Sequence, residues 1–366
     1  MDIYTDKRIV LTLDAGGTNF VFNAFKGGRA LMEGIRKDAN AAHLERCLTA
    51  LKTGFHEVIQ AIDEPPVAIS FAFPGPADYA KGIIDNSNNL PAFKGGVPLK
   101  SILEEEFGLP VCINNDGDLF AYGEALGGIL PEINARLEAS GSPKRYHNLF
   151  GFTLGTGFGG GFVSKGQLIT GDNVTAAEVW LFSNRYHPEV NAEEVVSIRA
   201  VQRIYAAEAG ISDPQKLEPR DIYEIALGKK AGNREAALQA YEETGRALGD
   251  TVANILTFTD GIVVIGGGIT GARDLYMPAM MEELNSNFQS YTAEQMPRLV
   301  QKVFNLDLES DREEFFRDYS RILPIPGTDR SIAYDPIPRL AVVTSTRGAS
   351  ESISLGAYAY ALQHIG

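Results

Sequence analysis

Short apolar runs bounded by glycine or proline recur along the chain and predict strands that alternate with helices. Runs of four to eight apolar residues are typical of buried strands, whereas apolar residues at i, i+3, i+4 and i+7 indicate one face of a helix. The predicted strands are Ile9–Leu13, Phe20–Phe25, Ala30–Arg36, Val67–Phe73, Val111–Ile113, Leu149–Leu154, Gly161–Val163 and Ile262–Ile265. The predicted helices are Leu44–Ile62, Ser101–Phe107, Leu119–Leu126, Val195–Gly210, Ala236–Phe258, Met277–Asn287 and Ile353–Ile365. This alternation predicts an α/β protein.

Two longer stretches depart from this pattern. Residues 129–149 are largely polar, contain Pro131 and a Gly-Ser-Pro sequence, and are predicted to form a surface insertion. Residues 297–347 are rich in arginine and aspartate, and we treat them as a second insertion without assigned elements.

Two of the apolar runs lead into related glycine turns. The first reads Leu-Asp-Ala-Gly-Gly-Thr-Asn over residues 13–19, and the second reads Leu-Gly-Thr-Gly over residues 154–157, with three more glycines at 159–161. Glycine permits a positive φ and lets a phosphate approach backbone N–H groups, and the neighbouring threonine hydroxyl adds a donor. The pair predicts two duplicated lobes that hold one nucleotide, with two ordinary hairpin turns as the alternative.

Acidic residues stand at the ends of two predicted strands. Asp14 lies in the first glycine turn, where its charge suits Mg²⁺, and a plain turn residue is the alternative. Asn115 and Asp116 follow the strand Val111–Ile113, and binding groups in open α/β sheets collect at such carboxyl ends. Asp116 is therefore a candidate general base. Its alternative role is to cap the following helix, for which Asp118 is the better-placed residue.

Composition narrows the possible partners. The chain has 366 residues, enough for two lobes, and its formal net charge of −14 argues against a general nucleic-acid surface. The sequence has no apolar run of the roughly 18 residues that a spanning helix needs, and its first residues show no signal-peptide pattern. Cys47 and Cys112 lack metal-binding spacing, so we expect reduced thiols. These features predict a cytoplasmic protein with no nucleic-acid or membrane partner.

Five segments together resemble the ROK family (repressors, open reading frames and sugar kinases) of the actin-like ATPase fold. They are the first glycine turn at 14–19, Asn-Asn-Asp-Gly-Asp at 114–118, the second glycine turn at 153–161, Ala177-Glu178, and Ile262–Gly268 with Ile269. The resemblance covers about residues 8–295 and resumes near 348–362. Each turn alone is a weak signal, whereas the common order and spacing of all five are specific.

The resemblance implies a two-lobed, ribonuclease H-like α/β fold with a cleft between the lobes. Residues 1–115 and 350–366 are expected to form the N-terminal lobe, on the sugar and phosphate side. Residues 116–349 are expected to form the C-terminal lobe, which binds nucleotide and sugar and forms the dimer contact. ATP and Mg²⁺ are implied, with Asp14 holding the metal through water. The expected nucleotide-binding residues are Asp14, Gly16, Gly17, Thr18, Asn19, Gly155, Thr156, Gly157, Gly266, Gly267 and Gly268.

The glycine triplet at 266–268 has a second interpretation. A strand followed by three glycines could equally begin a dinucleotide site. Such a site needs an acidic residue about 20 positions later, which Glu282 and Glu283 only loosely supply.

On the sugar side, the resemblance implies planar groups that accept hydrogen bonds from neighbouring hydroxyls. The expected substrate-binding residues are Gly75, Asn89, Asn115, Asp116, Glu178 and Glu193. Asn88 and Asn89 could instead serve as turn residues, and Glu178 could pair with Arg185 or Arg199 on the surface. Glu194 competes with Glu193 for the same role.

One departure from the family pattern follows Glu178. Family members often continue with Gly-His and a cysteine cluster that holds structural zinc, whereas this chain continues Val-Trp-Leu-Phe, which puts Leu181 at the histidine position. Residues 178–193 contain no cysteine. Tetrahedral zinc of this class needs thiolate and imidazole ligands, so we predict no zinc site. His187 reads as an ordinary loop residue, and Trp180 is expected to pack in the core or to line the altered pocket.

These features predict a glucokinase-like enzyme that uses ATP to phosphorylate a hydroxyl of a hexose or N-acetylhexosamine, with Asp116 as general base. A transcriptional regulator is the less favoured alternative, because the 13 residues before Asp14 are too few for a DNA-binding domain. A sugar-sensing protein with impaired catalysis also stays open, since the histidine and metal cluster are missing. Retention of Asp14 and Asp116 argues against it. A homodimer is the assembly that the resemblance implies.

Overall fold

The computed structural model describes residues 2–16, 18–75, 77–85 and 91–365, the side chain of Gln215 excepted. Its strands are β1 (Val10–Ala15), β2 (Asn19–Lys26), β3 (Arg29–Ala30), β4 (Ile35–Asp38), β5 (Ala68–Ala72), β6 (Ala77–Asp78), β7 (Ile83–Ile84), β8 (Val97–Pro98), β9 (Val111–Asn114), β10 (Asn148–Leu154), β11 (Phe158–Ser164), β12 (Gln167–Leu168), β13 (Ser183–Asn184), β14 (His187–Asn191), β15 (Ile262–Gly266), β16 (Asn287–Gln289), β17 (Gln295–Pro297), β18 (Lys302–Asn305), β19 (Arg321–Pro324), β20 (Ser331–Tyr334) and β21 (Arg339–Thr344). Its α-helices are α1 (Leu44–Ala61), α2 (Leu99–Phe107), α3 (Asp116–Leu126), α4 (Ile129–Ala139), α5 (Glu193–Val196), α6 (Ile198–Ala209), α7 (Pro219–Ala226), α8 (Arg234–Thr259), α9 (Arg273–Leu284), α10 (Glu309–Phe316) and α11 (Ala349–His364).

Two six-stranded sheets share one strand order. The first runs β3-β2-β1-β5-β9, with β4 also paired to β2, and the second runs β12-β11-β10-β15-β21-β18. In the first sheet β1 and β2 form an antiparallel hairpin, and β1, β5 and β9 are parallel. In the second, β10, β15, β21 and β18 are parallel. The second sheet also has an antiparallel pair, β11 with β12, beside its parallel strands. Both sheets therefore combine antiparallel and parallel strands in one order, which agrees with the duplication that the two glycine turns predict.

Contacts between Cα atoms group the chain into two units. The first unit comprises residues 1–131, 161–177 and 346–366, and the second comprises 132–160 and 178–345. The predicted lobes divide the chain differently, because they assign residues 116–131, 161–177 and 346–349 to the C-terminal lobe. In the structure all three segments group with the first unit.

Close packing of α3 on α11 explains why α3 belongs to the first unit. A Cβ atom on Gly123 would lie 2.0 Å from the carbonyl oxygen of Ser352, and one on Gly356 would lie 1.8 Å from that of Leu119. Only glycine permits this approach of the two backbones. The buried carboxylate of Glu124 adds a polar link, since its Oε1 accepts a hydrogen bond of 2.6 Å from the Ser352 hydroxyl. The start of the helix that carries Asp116 is thereby fixed within this unit.

Residues 129–149 do not lie wholly at the surface, contrary to the prediction from their polar composition. Residues 129–139 form helix α4, in which Ile133 and Leu137 are buried, and Tyr146 beyond it is buried as well. The apolar residues of α4 recur at i and i+4. Pro131 and the polar residues between Ile133 and Leu137 concealed that short period in the sequence.

The second predicted insertion, 297–347, contains elements that the sequence left unassigned. Its strands β18 and β21 are parallel members of the second sheet, and all six residues of β21 are buried. Within this range β19 and β20 form an exposed hairpin. The two sheet strands are only four and six residues long, so their patterns were too short to separate from the charged sequence around them.

The sequence also predicted reduced cysteines and no membrane-spanning helix. Cys47 and Cys112 are both free thiols, as expected. In the described parts of the chain, no helix has the length and apolar character needed to cross a bilayer.

The close packing of α3 on α11 can be tested by its effect on stability. We expect Gly356→Ala to lower the free energy of unfolding by about 1–3 kcal/mol, because the new methyl group collides with the backbone of α3. Urea denaturation of variant and wild type measures this change. Ser350→Ala, at an exposed position of the same helix, is the control and should change stability by less than about 0.5 kcal/mol. An unchanged urea midpoint for Gly356→Ala would contradict the close approach of the two helices.

Candidate active site

Three parallel strands of the first unit end side by side and carry the candidate acidic residues. Asp14 of β1 pairs with Ala72 of β5, and Ala72 pairs with Asn114 at the end of β9. Asp116 follows two residues later, at the first position of α3. Both carboxylates therefore lie at one edge of the first sheet. They are close enough for the charge of Asp14 to raise the pKa of Asp116.

Hydrogen bonds at the start of α3 show which residue caps the helix and distinguish it from the candidate base. Asn115 is the N-cap, and its Oδ1 accepts a hydrogen bond of 2.7 Å from the backbone N–H of Gly117. The same N–H also donates to Oδ1 of Asp116, at 2.9 Å. The expectation that Asp118 caps this helix is therefore wrong, since Asp118 lies buried within the first turn. Asn115 takes the capping role, so Asp116 is not needed for it.

The environment of Asp116 combines accessibility with a raised pKa. The residue is exposed, so a ligand can reach its carboxylate. The surrounding protein limits its hydration, which is the main cause that raises its pKa, and the negative charge of Asp14 raises it further. The Gly117 N–H opposes this shift by stabilising the carboxylate. A carboxylate whose pKa is raised is a stronger base than an ordinary aspartate.

Two further candidate regions of the first unit have defined geometry. The Gly16 N–H donates to the carbonyl oxygen of Asn19, at 3.0 Å, which closes the first glycine turn and leaves Thr18 exposed. Gly75 lies against Tyr79, whose hydroxyl would stand 2.9 Å from a Cβ atom at this position. The predicted site residues Gly17 and Asn89, with Asn88, lie outside the described residues.

Two glycine turns of the second unit lie next to each other at one edge of the second sheet. Thr153 of β10 pairs with Gly266 at the end of β15. Gly267 has a φ of +95°, and a Cβ atom there would lie 2.3 Å from the carbonyl oxygen of Leu154. Gly155 differs, because a Cβ atom on it would meet no atom within 4 Å. The packing thus requires glycine at 267, whereas at 155 the glycine leaves space open beside the backbone.

A cavity of about 480 Å³ adjoins the second of these turns. Its size is typical of small-molecule sites, which are mostly apolar with a few polar groups. It is lined by Ile198, Val201, Glu218, Pro219, Arg220, Tyr223, Tyr241, Gly268, Ile269, Gly271 and Ala272. Of these residues the sequence predicted only Gly268 as a site residue. Ile269, Gly271 and Ala272 follow it directly along the chain, and the others lie on or at the start of α6, α7 and α8, which carry no local motif.

Glu193 supports the second glycine turn. Its Oε2 accepts a hydrogen bond of 3.0 Å from the backbone N–H of Phe158 and would lie 2.8 Å from a Cβ atom on Gly157. Its Oε1 accepts a hydrogen bond of 2.5 Å from Arg199. Both oxygens therefore have protein partners, and the competing Glu194 lies 3.9 Å from Arg199 and is half exposed.

Glu178 has a different partner from those considered in the sequence. The indole Nε1–H of Trp180 donates a hydrogen bond to its Oε2. Arg185 instead pairs with Glu283, and Arg199 pairs with Glu193. Trp180 itself is exposed, so the expectation that it packs in the core is wrong.

The acidic edge of the first sheet fits a magnesium ion. Asp14 is exposed, and carboxylate oxygens are the protein ligands that Mg²⁺ prefers, with waters completing its shell. Among the described residues, no group of three or more His, Cys, Asp and Glu side chains could hold a metal by itself. The absence of zinc stays a prediction, which rests on the missing cysteines after Glu178.

Comparison with known proteins identifies the family. The model of the ROK family matches residues 10–306, so the chain belongs to the ROK family. A glucokinase from Thermotoga maritima is 26% identical over 308 residues, which are 76% of this chain and 87% of that protein. An N-acetyl-D-glucosamine kinase from Vibrio cholerae is 26% identical over 283 residues, 72% of this chain and 85% of the relative.

A solved structure extends this likeness over the whole chain. The crystal structure of a glucokinase from Parabacteroides distasonis is 49% identical, with a TM-score of 0.90 and complete coverage of both chains. The predicted actin-like ATPase fold is thereby confirmed. The enzyme class common to these relatives is sugar kinase, and the chain is assigned to it.

The raised pKa of Asp116 predicts an effect on stability. Folding raises this pKa, so the folded chain is favoured while the carboxyl is protonated and loses that advantage as the pH rises through the folded-state pKa. We therefore expect Asp116→Asn to keep or raise Tm at neutral pH and to show a smaller difference from wild type in acid. Differential scanning calorimetry between pH 4 and 8 measures this. A variant that is clearly less stable than wild type at pH 8 would contradict the assigned environment.

Proposed function

We propose that this protein transfers the γ-phosphoryl group of ATP to a hydroxyl of a hexose or N-acetylhexosamine, with Asp116 as the general base. The observation that carries the proposal is an accessible carboxylate with a raised pKa beside Asp14, at the carboxyl edge of the first sheet. Phosphoryl transfer needs positioning, charge neutralisation and a residue that accepts the hydroxyl proton. Asp116 supplies the last of these.

The assigned base acts late in the reaction. A sugar hydroxyl is far less acidic than a carboxyl group, so its proton moves to the Asp116 carboxylate as the oxygen bonds to phosphorus. The raised pKa of Asp116 makes this acceptance more favourable. Asn115, next to it, offers an amide that can bind the sugar, although its Oδ1 already accepts the Gly117 N–H.

Nucleotide contacts are proposed on both units. On the first unit, Asp14, Gly16, Gly17, Thr18 and Asn19 form the proposed phosphate turn. On the second, Gly155, Thr156 and Gly157 offer N–H and hydroxyl donors, and the open space beside Gly155 supports this role. The cavity beside Gly268 has the size and apolar lining that an adenosine group requires.

Magnesium is the proposed metal, held by Asp14 through water. When bound, it would neutralise charge on the phosphates. The protein contributes the exposed carboxylate at the end of β1 and a second carboxylate, Asp116, close by. We propose no structural zinc.

The sugar side is proposed from Glu178 and Glu193, with Gly75 and Asn89. Glucose is the first substrate to test, because the 49% identical relative is a glucokinase, and N-acetylglucosamine is the second because of the 26% identical N-acetylglucosamine kinase. Incubation with Mg-ATP and a panel of hexoses and N-acetylhexosamines, with measurement of ADP, decides among these sugars. A protein that binds nucleotide and sugar but turns over none of them would be the catalytically impaired sensor instead.

Assembly and location remain part of the proposal. The family resemblance supports a homodimer in the cytoplasm, and analytical ultracentrifugation of the purified protein tests the dimer.

Replacement of the base gives the sharpest test of mechanism. We expect Asp116→Asn to lower kcat by about 10²–10⁴-fold or more, because the amide accepts no proton, while sugar affinity stays within about threefold. Coupled ADP release measures kcat, and calorimetric titration measures sugar binding. Asp63→Asn, an exposed aspartate of the same unit, is the matched control and should retain full activity. Wild-type turnover by Asp116→Asn would exclude the assigned base.

The open space beside Gly155 gives a test of the phosphate turn. Gly155→Ala adds a methyl group that meets no protein atom within 4 Å, so Tm should stay within about 2 °C while KM for ATP rises about tenfold or more. Steady-state kinetics at saturating sugar measures this KM. Gly157→Ala is the contrasting variant, because its methyl group would press on Glu193. An unchanged KM for ATP in Gly155→Ala would remove this turn from the nucleotide site.

A further inference from the structure

Three consecutive apolar side chains are exposed directly after Glu178. Trp180, Leu181 and Phe182 have exposed fractions of 37%, 58% and 38%. Adjacent apolar residues at a surface remain unfavourably hydrated unless something covers them, so they mark contact sites more often than scattered ones do. This apolar trio is therefore a candidate for ligand contact.

The backbone around the apolar trio is fixed on both sides. Val179 before it is completely buried, and the Phe182 N–H donates to the Val179 carbonyl at 3.1 Å. After it, the Ala192 N–H donates to the Phe182 carbonyl at 2.8 Å. The buried amide of Asn184 donates to the carbonyl of Ala247 in α8 at 2.8 Å. These bonds hold the trio in a defined position.

A buried ionic network anchors the hairpin of β13 and β14 that follows. Arg185 lies 2.5 Å from Glu283, and Arg298 lies 2.7 Å from Asp250. The side chains of Asp250, Glu283 and Arg298 are at most 7% exposed. Removal of one partner from such a network leaves an uncompensated buried charge, which is strongly destabilising. The network therefore keeps this segment docked on α8 and α9.

The orientation of Trp180 is set by its hydrogen bond to Glu178. The indole Nε1–H donates to one carboxylate oxygen, Oε2, so the other oxygen remains for further hydrogen bonds. A pyranose carries hydroxyl groups around its rim and C–H groups on its faces. A carboxylate joined to an indole ring can accept hydrogen bonds from the rim while the ring covers one face.

We propose that Trp180 packs its indole ring on one face of the pyranose whose hydroxyl groups Glu178 binds. Trp180 is then a binding residue that contributes to sugar selectivity. This inference rests on the proposed function, because it needs a pyranose as substrate. The same apolar surface would also suit contact with a second copy of the chain, and the experiment separates the two occupants.

Trp180 is the only tryptophan of the chain, so its fluorescence reports this contact directly. Titration of the intact protein with D-glucose, and separately with N-acetyl-D-glucosamine, is carried out without ATP. We expect the sugar that is the kinase substrate to change the emission until binding saturates. The bound sugar should also protect the indole ring from acrylamide quenching. Emission and quenching that stay unchanged at sugar concentrations shown by calorimetry to saturate the protein would overturn the proposal.

Substitutions supply an independent measurement by calorimetry. We expect Trp180→Ala to weaken sugar binding about tenfold or more, through loss of the ring contact. Trp180→Phe retains a ring but loses the hydrogen bond to Glu178, and we expect a loss of about threefold. KM for ATP should stay within about twofold in both. Tyr291→Ala removes another exposed aromatic side chain and is the control, with unchanged sugar affinity.

The outcomes separate this inference from the proposed function. If the wild type phosphorylates a sugar and Trp180→Ala binds that sugar as tightly as wild type, the inference fails while the kinase stands. If Trp180→Ala changes the sedimentation coefficient and leaves sugar affinity unchanged, the surface contacts a second copy and the inference also fails. If the wild type phosphorylates no sugar of the panel, the proposed function itself fails.

Discussion

The parallel register of β1, β5 and β9 is the constraint on which the candidate base depends. It places Asp14, Ala72 and Asn114 in one row across the sheet, so the next residues of each strand leave at the same edge. Asp116 stands there beside a second carboxylate, with limited hydration, and both conditions raise its pKa. The strand register thus sets the electrostatics of the site as well as its geometry. The packing of α3 on α11 through Gly123 and Gly356 fixes the helix from which Asp116 extends.

Glycines that look equivalent in the sequence have different physical causes. Gly267 needs a positive φ and touches the backbone of Leu154, and Gly161 lies against α3, where a Cβ atom would be 2.6 Å from the Gly117 carbonyl oxygen. These positions are required by packing. Gly155 has no such neighbour, and its small size leaves space that a ligand can use. A functional interpretation of a glycine turn is therefore strongest where packing does not already require the glycine.

Much of the fold and the acidic edge of the site could be predicted from the sequence, because their signals are local. Apolar runs, glycine turns and the Asn115-Asp116 pair each lie within a few residues, and the structure places them on the expected elements. The cavity beside Gly268 could not be predicted, since most of its wall residues come from three helices that are distant from this turn in sequence. The same holds for α4, whose apolar period is interrupted by polar residues, and for Trp180, whose exposure depends on the anchoring of its neighbours.

The segment after Glu178 shows how a missing motif can be compensated by distant charges. It lacks the cysteines and the histidine of the family pattern, and its hairpin is docked through Arg185 to Glu283, in a network completed by Asp250 and Arg298. Burial of such charges contributes little net stability, because desolvation offsets most of the attraction. Its effect is on position, since a misplaced partner would leave a charge unpaired in the interior. A segment fixed in this way can keep Trp180 and its apolar neighbours exposed in one conformation. Leu181, at the histidine position of the family pattern, is then part of an apolar surface. The ion pairs that hold the neighbouring hairpin include a residue as distant in sequence as Arg298.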